Sequence, residues 1–187
     1  MSIQQADSIY PDSARFLLLT INDEIRAYGI DLLTHHEIVN DIVGGKPVMA
    51  AYCILADLGA IYDRTYGDKV FTYALSGYTY FDPEVWDGMD GFVFWDRETE
   101  STWWPLIGKA VSGSMIDTPL NVYNKENWSQ TNWLYIKSNF PSAKVLKPGQ
   151  EIDAPKSWEK FSNEDIRSIV NNKVEIAPRW GENGSKE

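Results

Sequence analysis

The 187-residue chain has little sulfur and little imidazole: one cysteine, Cys53, and two histidines, adjacent at positions 35 and 36. A single thiol excludes an intramolecular disulfide and gives no support to an oxidising compartment. Neighbouring residues on a strand point to opposite faces, so one imidazole is the limit for a metal's first shell, which speaks against a triad of two histidines and one carboxylate. Long apolar runs are also missing. The longest, residues 48–56, is too short to span a bilayer, and the first residues have neither the basic start nor the apolar stretch of an export signal. A cytoplasmic protein without membrane contact is the expectation. Positive charge is scarce, with 17 Lys and Arg against 27 Asp and Glu and a formal net charge of -10. No basic cluster offsets this, so nucleic acid is repelled rather than gathered. No internal repeat is present.

Aromatic residues are plentiful: eight Trp, ten Tyr and seven Phe. They favour strands and leave some rings for a pocket or partner. Residues 15–21 and 25–30 read as a first hairpin, and residues 31–35 as one helical turn. Residues 36–53 read as the central hairpin, turning at Gly44-Gly45. A third hairpin is expected from 60–64 and 69–75 around Tyr66-Gly67-Asp68, ending at Ser76-Gly77. Residues 81–91 form an acidic, aromatic loop whose Asp82, Glu84, Asp87 and Asp90 do not fit the calcium-loop spacing. Strands are expected at 92–96, 109–115 and 142–146. Helical spacing of Trp133, Ile136, Lys137 and Phe140 predicts a short helix over 128–140, stopped by Pro141. A capping pattern at 162–165 predicts a second short helix. The fold class expected is mainly β, an antiparallel barrel or sandwich built from hairpins, with one or two short C-terminal helices. The expected organisation is an N-terminal arm (1–13), a single β-rich domain (14–147) and a C-terminal extension (148–187) with a disordered end.

Several short motifs follow one another along the chain: Arg26-Ala-Tyr28, His36-Glu-Ile-Val-Asn-Asp41, Gly44-Gly45 with Pro47-Val48, Tyr52-Cys53, and Ser76-Gly77. Asp96-Arg97-Glu-Thr99-Glu100-Ser101 with Trp103 and Gly108-Lys-Ala-Val-Ser-Gly113 follow, then Trp128, Trp133, Phe140-Pro141 and Val145-Leu146. Together, over about residues 25–146, they resemble the family catalogued as domain of unknown function 3179. The resemblance brings no established activity. It implies stress on His36, Glu37, Asn40, Asp41, Cys53, Asp96, Arg97, Glu100, Ser101 and Trp103. The chain departs from the family pattern at Gly29 and Ile54, where proline is usual. It also lacks a second nearby cysteine, which excludes a paired-cysteine redox or zinc role.

In the central hairpin His36 would begin one strand and Cys53 would end the other, so both lie at its open end. There His36 could activate Cys53 as a nucleophile, with Glu37 or Asp96 orienting the ring. The competing reading is a buried structural thiol. The same donors, His36 and Cys53 with a carboxylate, could hold one transition metal, zinc, copper or iron. Arg97, with Glu100, Ser101 and Trp103, could bind an anionic small molecule, Arg97 by a two-pronged hydrogen bond; the competing reading ties Asp96 and Arg97 into a structural ion pair. Two functions stay open. One is a small-molecule enzyme with catalytic residues His36, Cys53, Glu37 and Asp96. The other is a non-catalytic β-rich module that binds a ligand or a protein, its polar motifs serving as braces.

Overall fold

Strand β1 (Arg15–Ile21) alternates its apolar side chains to both faces, so it is buried on both sides and takes the interior of a sheet. In the computed structural model, which describes residues 1–81 and 91–147 and the strand at 175–178, this sheet has the order β12-β1-β2-β13. Its other strands are β2 (Glu24–Gly29), β12 (Trp128–Asn132) and β13 (Lys144–Val145). Leu17, Leu19 and Ile21 point to one face and join Tyr28, Leu33, Val48, Ala50, Tyr52 and Ile61 in a buried cluster. Phe16 and Leu18 point to the other and join Ala6, Tyr10, Ala27, Trp133 and Ile136.

After β2 the chain forms helix α2 (Ile30–His36), then β3 (Ile38–Val43), β4 (Lys46–Cys53) and β5 (Leu58–Asp63), an antiparallel sheet in sequence order. The turn between β3 and β4 requires its glycines. Gly44 has φ +54, and a Cβ there would lie 2.3 Å from the Ile21 carbonyl oxygen; Gly45 has φ +75 but open space around it. Gly44→Ala is therefore expected to cost about 2 kcal/mol or more, and Gly45→Ala about 1 kcal/mol. Chemical denaturation of the two variants checks the difference, and equal losses would contradict it.

The stretch read from the sequence as one β-rich domain divides between two compact units, Met1–Phe71 with Asn121–Gln150 and Thr72–Leu120 with Glu151–Glu187. The elements above belong to the first. The second contains β8 (Tyr73–Phe81), β9 (Gly91–Asp96), β10 (Thr102–Trp104), β11 (Lys109–Ser112) and β14 (Glu175–Pro178), in the sheet order β11-β10-β9-β8-β14. One cluster in this unit contains Tyr80, Val93 and Trp104. Tyr73 packs edge-on against Phe94 and Trp103 at ring separations of 5.0 and 5.8 Å.

The fold is mainly β, with several antiparallel sheets and few short helices. The described strands do not close into a barrel, and β13 runs parallel to β2. Several sequence expectations need correction. The 1–13 arm contains helix α1 (Ile3–Asp7), capped by Ser2 and Gln5, and its Ala6 is buried in the core. The third hairpin shrinks to β6 (Thr65–Tyr66) and β7 (Lys69–Val70), because β5 pairs with β4 instead. Ser76-Gly77 does not end a strand: β8 runs through it with a register shift, the extra residues bulging at Gly77, φ +76.

The helix expected over 128–140 begins only at α3 (Trp133–Asn139), since Asn132 caps it by accepting a hydrogen bond from Tyr135 N. Residues 128–132 pair with β1 instead. Strand β11 stops at Ser112 rather than 115, because Gly113 turns with φ +84 against Ser101, where a Cβ would lie 2.6 Å from the Ser101 Cα. The 142–146 strand is reduced to β13. The helix expected after 162, the disordered end and most of the 81–91 loop lie outside the described residues.

Candidate functional site

The open end of the β3–β4 hairpin is set by a ladder that pairs Ile38 with Ala51 and continues one step, Tyr52 N donating to Glu37 O at 2.8 Å. His36 precedes that last bond and Cys53 follows it. The backbone thus brings the predicted pair to one end of the hairpin, but His36 does not begin a strand. It is the last residue of α2, and its side chain is exposed. Cys53 ends β4 and is 1% exposed. A thiol this buried meets no solvent-borne substrate without local opening, which lowers its standing as a nucleophile.

Glu37, also 1% exposed, is the polar side chain that turns inward between α2 and β3. Its N–H donates to Leu33 O at 2.6 Å and closes the helix, and its φ is +58. Three features of this position oppose an acid. A positive φ favours glycine, the C-terminal end of a helix disfavours negative charge, and burial removes the carboxylate from water.

The second predicted group lies in the other compact unit and forms a brace. Asp96 is fully buried, and its carboxylate accepts hydrogen bonds from Thr99 N (2.5 Å), Thr99 Oγ1 (2.7 and 2.8 Å) and Trp103 Nε1 (2.8 Å). Thr99 Oγ1 also bonds Ser101 Oγ at 2.8 Å, which accepts from Met115 N at 3.0 Å. Ser101 and Trp103 are buried, whereas Arg97 and Glu100 are exposed; Glu100 occupies a turn position with φ +57. The two-pronged clamp expected of Arg97 therefore has no buried setting. Among the described contacts no ion pair joins Asp96 to Arg97.

Two further networks were not read from the sequence. Arg64, 7% exposed, donates to three main-chain carbonyls: Nε to Val48 O (2.9 Å), Nη1 to Phe71 O (2.7 Å) and Nη2 to Asp41 O (3.1 Å). In the sequence it stands only as the last residue of the strand expected over 60–64. Asp41 itself accepts from Tyr28 OH at 3.0 Å and pairs with Arg26 Nε at 3.1 Å, while Arg26 also reaches Glu24 at 2.7 Å. Burial and the adjacent Asp41 carboxylate push the Tyr28 hydroxyl pKa well up, so it stays a donor.

Among the described residues, no three or more His, Cys, Asp and Glu side chains group so that they could hold a metal ion. No described helix is long and apolar enough to cross a membrane.

The chain is matched over residues 1–180 by the family model described as Protein of unknown function (DUF3179). The chain belongs to that family. No curated protein and no solved structure matches it. Of the residues the resemblance stresses, Asp96, Ser101 and Trp103 are joined in the brace and Asp41 belongs to the Arg26–Tyr28 network, while His36, Glu37 and Cys53 share the end of the hairpin.

Proposed function

We propose that the open end of the β3–β4 hairpin is the functional site of a small-molecule enzyme and that its chemistry is proton transfer by the Glu37 carboxyl. The observation that carries this reading is the placement of Glu37, a buried acid at φ +58 on the C-terminal end of α2. A fold selected for stability alone favours glycine there, and a costly residue at a strained backbone position is a reason to look for function. His36 stands at the exposed side as a second proton carrier, and Cys53 is the buried thiol at the same end of the hairpin. The described residues hold no group of three or more metal donors, so the reading includes no metal, and the exposed Arg97 makes no substrate contact in it. A lone thiol fits the reducing cytoplasm as the place of action.

The brace around Asp96 favours a second reading, a non-catalytic binding module whose polar motifs are structural. One experiment separates them. Small molecules retained by the purified chain from a metabolite mixture are identified by mass spectrometry, using the parent, Glu37→Gln and Arg97→Ala. The enzyme reading expects a retained compound that is lost with Glu37→Gln, kept with Arg97→Ala, and chemically changed on incubation with the parent. A compound retained equally by all three and recovered unchanged supports the binding module.

A further inference from the structure

A strand at the edge of a sheet presents main-chain N–H and C=O groups that another strand can satisfy. Several edges here are already occupied in whole or in part. Val145 of β13 exchanges both of its main-chain bonds with Met1, at 2.6 and 2.9 Å. β5 is covered by residues 121–123, through Asp63 N to Asn121 O and Tyr123 N to Ile61 O, both 2.7 Å. β11 is covered by residues 117–120, through Ala110 N to Thr118 O at 2.9 Å and Asp117 N to Ala110 O at 3.0 Å. On β3 the outward N–H of Ile42 is taken by Asp41 Oδ1 at 2.8 Å. Among the described residues β12 carries no such cover, and it contains no proline, charged side chain or bulge.

The ladder fixes which groups of β12 are free for pairing. Thr20 N donates to Asn127 O and Trp133 N donates to Ala14 O, each at 2.8 Å, on the register that pairs Leu18 with Ser129 and Phe16 with Thr131. Bonded and non-bonded pairs alternate along an antiparallel ladder, so the main chain of Trp128, Gln130 and Asn132 faces away from β1. These three positions are symmetric about Gln130.

We propose that a second copy of this chain pairs along β12, antiparallel, with Gln130 opposite Gln130 and Trp128 opposite Asn132, joining two four-stranded sheets across a two-fold axis. An isologous interface requires a self-complementary edge, and an odd set of outward groups with one at its centre provides it. Side-chain charge does not oppose the pairing. The facing segments, Trp-Ser-Gln-Thr-Asn, carry none, although the chain as a whole has net charge -10. Directly after the strand, Leu134 and Tyr135 are each 48% exposed and give apolar area at both ends of the paired segment.

Sedimentation of the full chain over a wide concentration range, with Gln130→Pro and Gln130→Glu, tests this. Proline removes the outward N–H of Gln130 and no bond to β1; glutamate keeps every backbone bond but sets two acids against each other on the axis. The parent should reach twice the mass of one chain, and each variant should raise the dissociation constant at least about tenfold. Gln130→Glu decides the matter if the proline variant fails to fold. A parent that stays monomeric throughout, or a folded Gln130→Glu that dimerises as the parent does, overturns the proposal.

Discussion

Asp96→Ala should lower stability by about 3 kcal/mol, and the melting temperature of a chain this size by about 6–12 °C. The carboxylate accepts from one backbone N–H, one hydroxyl and one indole N–H, all within 2.8 Å. Removing it leaves the Trp103 indole N–H in a buried position without this acceptor and takes away the side-chain ties to Thr99, so that only main-chain bonds to Glu100 and Ser101 close the turn. Arg97→Ala, one residue further on and exposed, should stay within about 0.5 kcal/mol of the parent. Thermal unfolding of the two variants side by side checks the contrast. Equal, small losses would mean that the brace contributes little.

Arg64→Ala should be comparably damaging, at about 3 kcal/mol, because one side chain satisfies three carbonyl oxygens on three segments: β3 at Asp41, β4 at Val48 and the chain at Phe71. A planar guanidinium reaches all three at once, whereas an ammonium is a single point, so Arg64→Lys should recover only part of the loss. Denaturant midpoints of the two variants measure it. Full recovery with lysine would show that charge, not the fork of donors, holds these segments.

Both effects explain how far the sequence could be read. The β1–β2 and β3–β4 hairpins and α2 were legible because apolar patterning and turn residues agree there: Asn22-Asp23 and Gly44-Gly45 occupy positive-φ positions between strands. Strand β12 was misread as helix because the helical spacing of Trp133 and Ile136 was extended backwards through Asn132, the residue that caps the helix. The β5 partner was missed because strand pairing is a tertiary choice, and Gly67 supplied a local turn signal for a much shorter hairpin.

The site was legible as a set of residues but not as roles. Aspartate, serine, threonine and tryptophan in a short motif suit a binding site or a brace equally, and only the burial of Asp96, Ser101 and Trp103 separates the two. Arg64 was invisible because its acceptors are carbonyls, which leave no mark in a sequence. The His36–Cys53 pairing came from the hairpin register, but the positive φ at Glu37 redirected the chain, so the acid rather than the imidazole turns inward.

The central claim is that Glu37 is kept for chemistry and not for stability, and the unfolding midpoint of Glu37→Gly tests it most directly. Glycine removes the positive-φ backbone cost, about 1 kcal/mol. The melting temperature should stay within about 4 °C of the parent's, with loss of any ligand that the parent retains. A fall of several degrees, shared by Glu37→Gln, would make the carboxylate a structural member of the fold and contradict the assignment of the site.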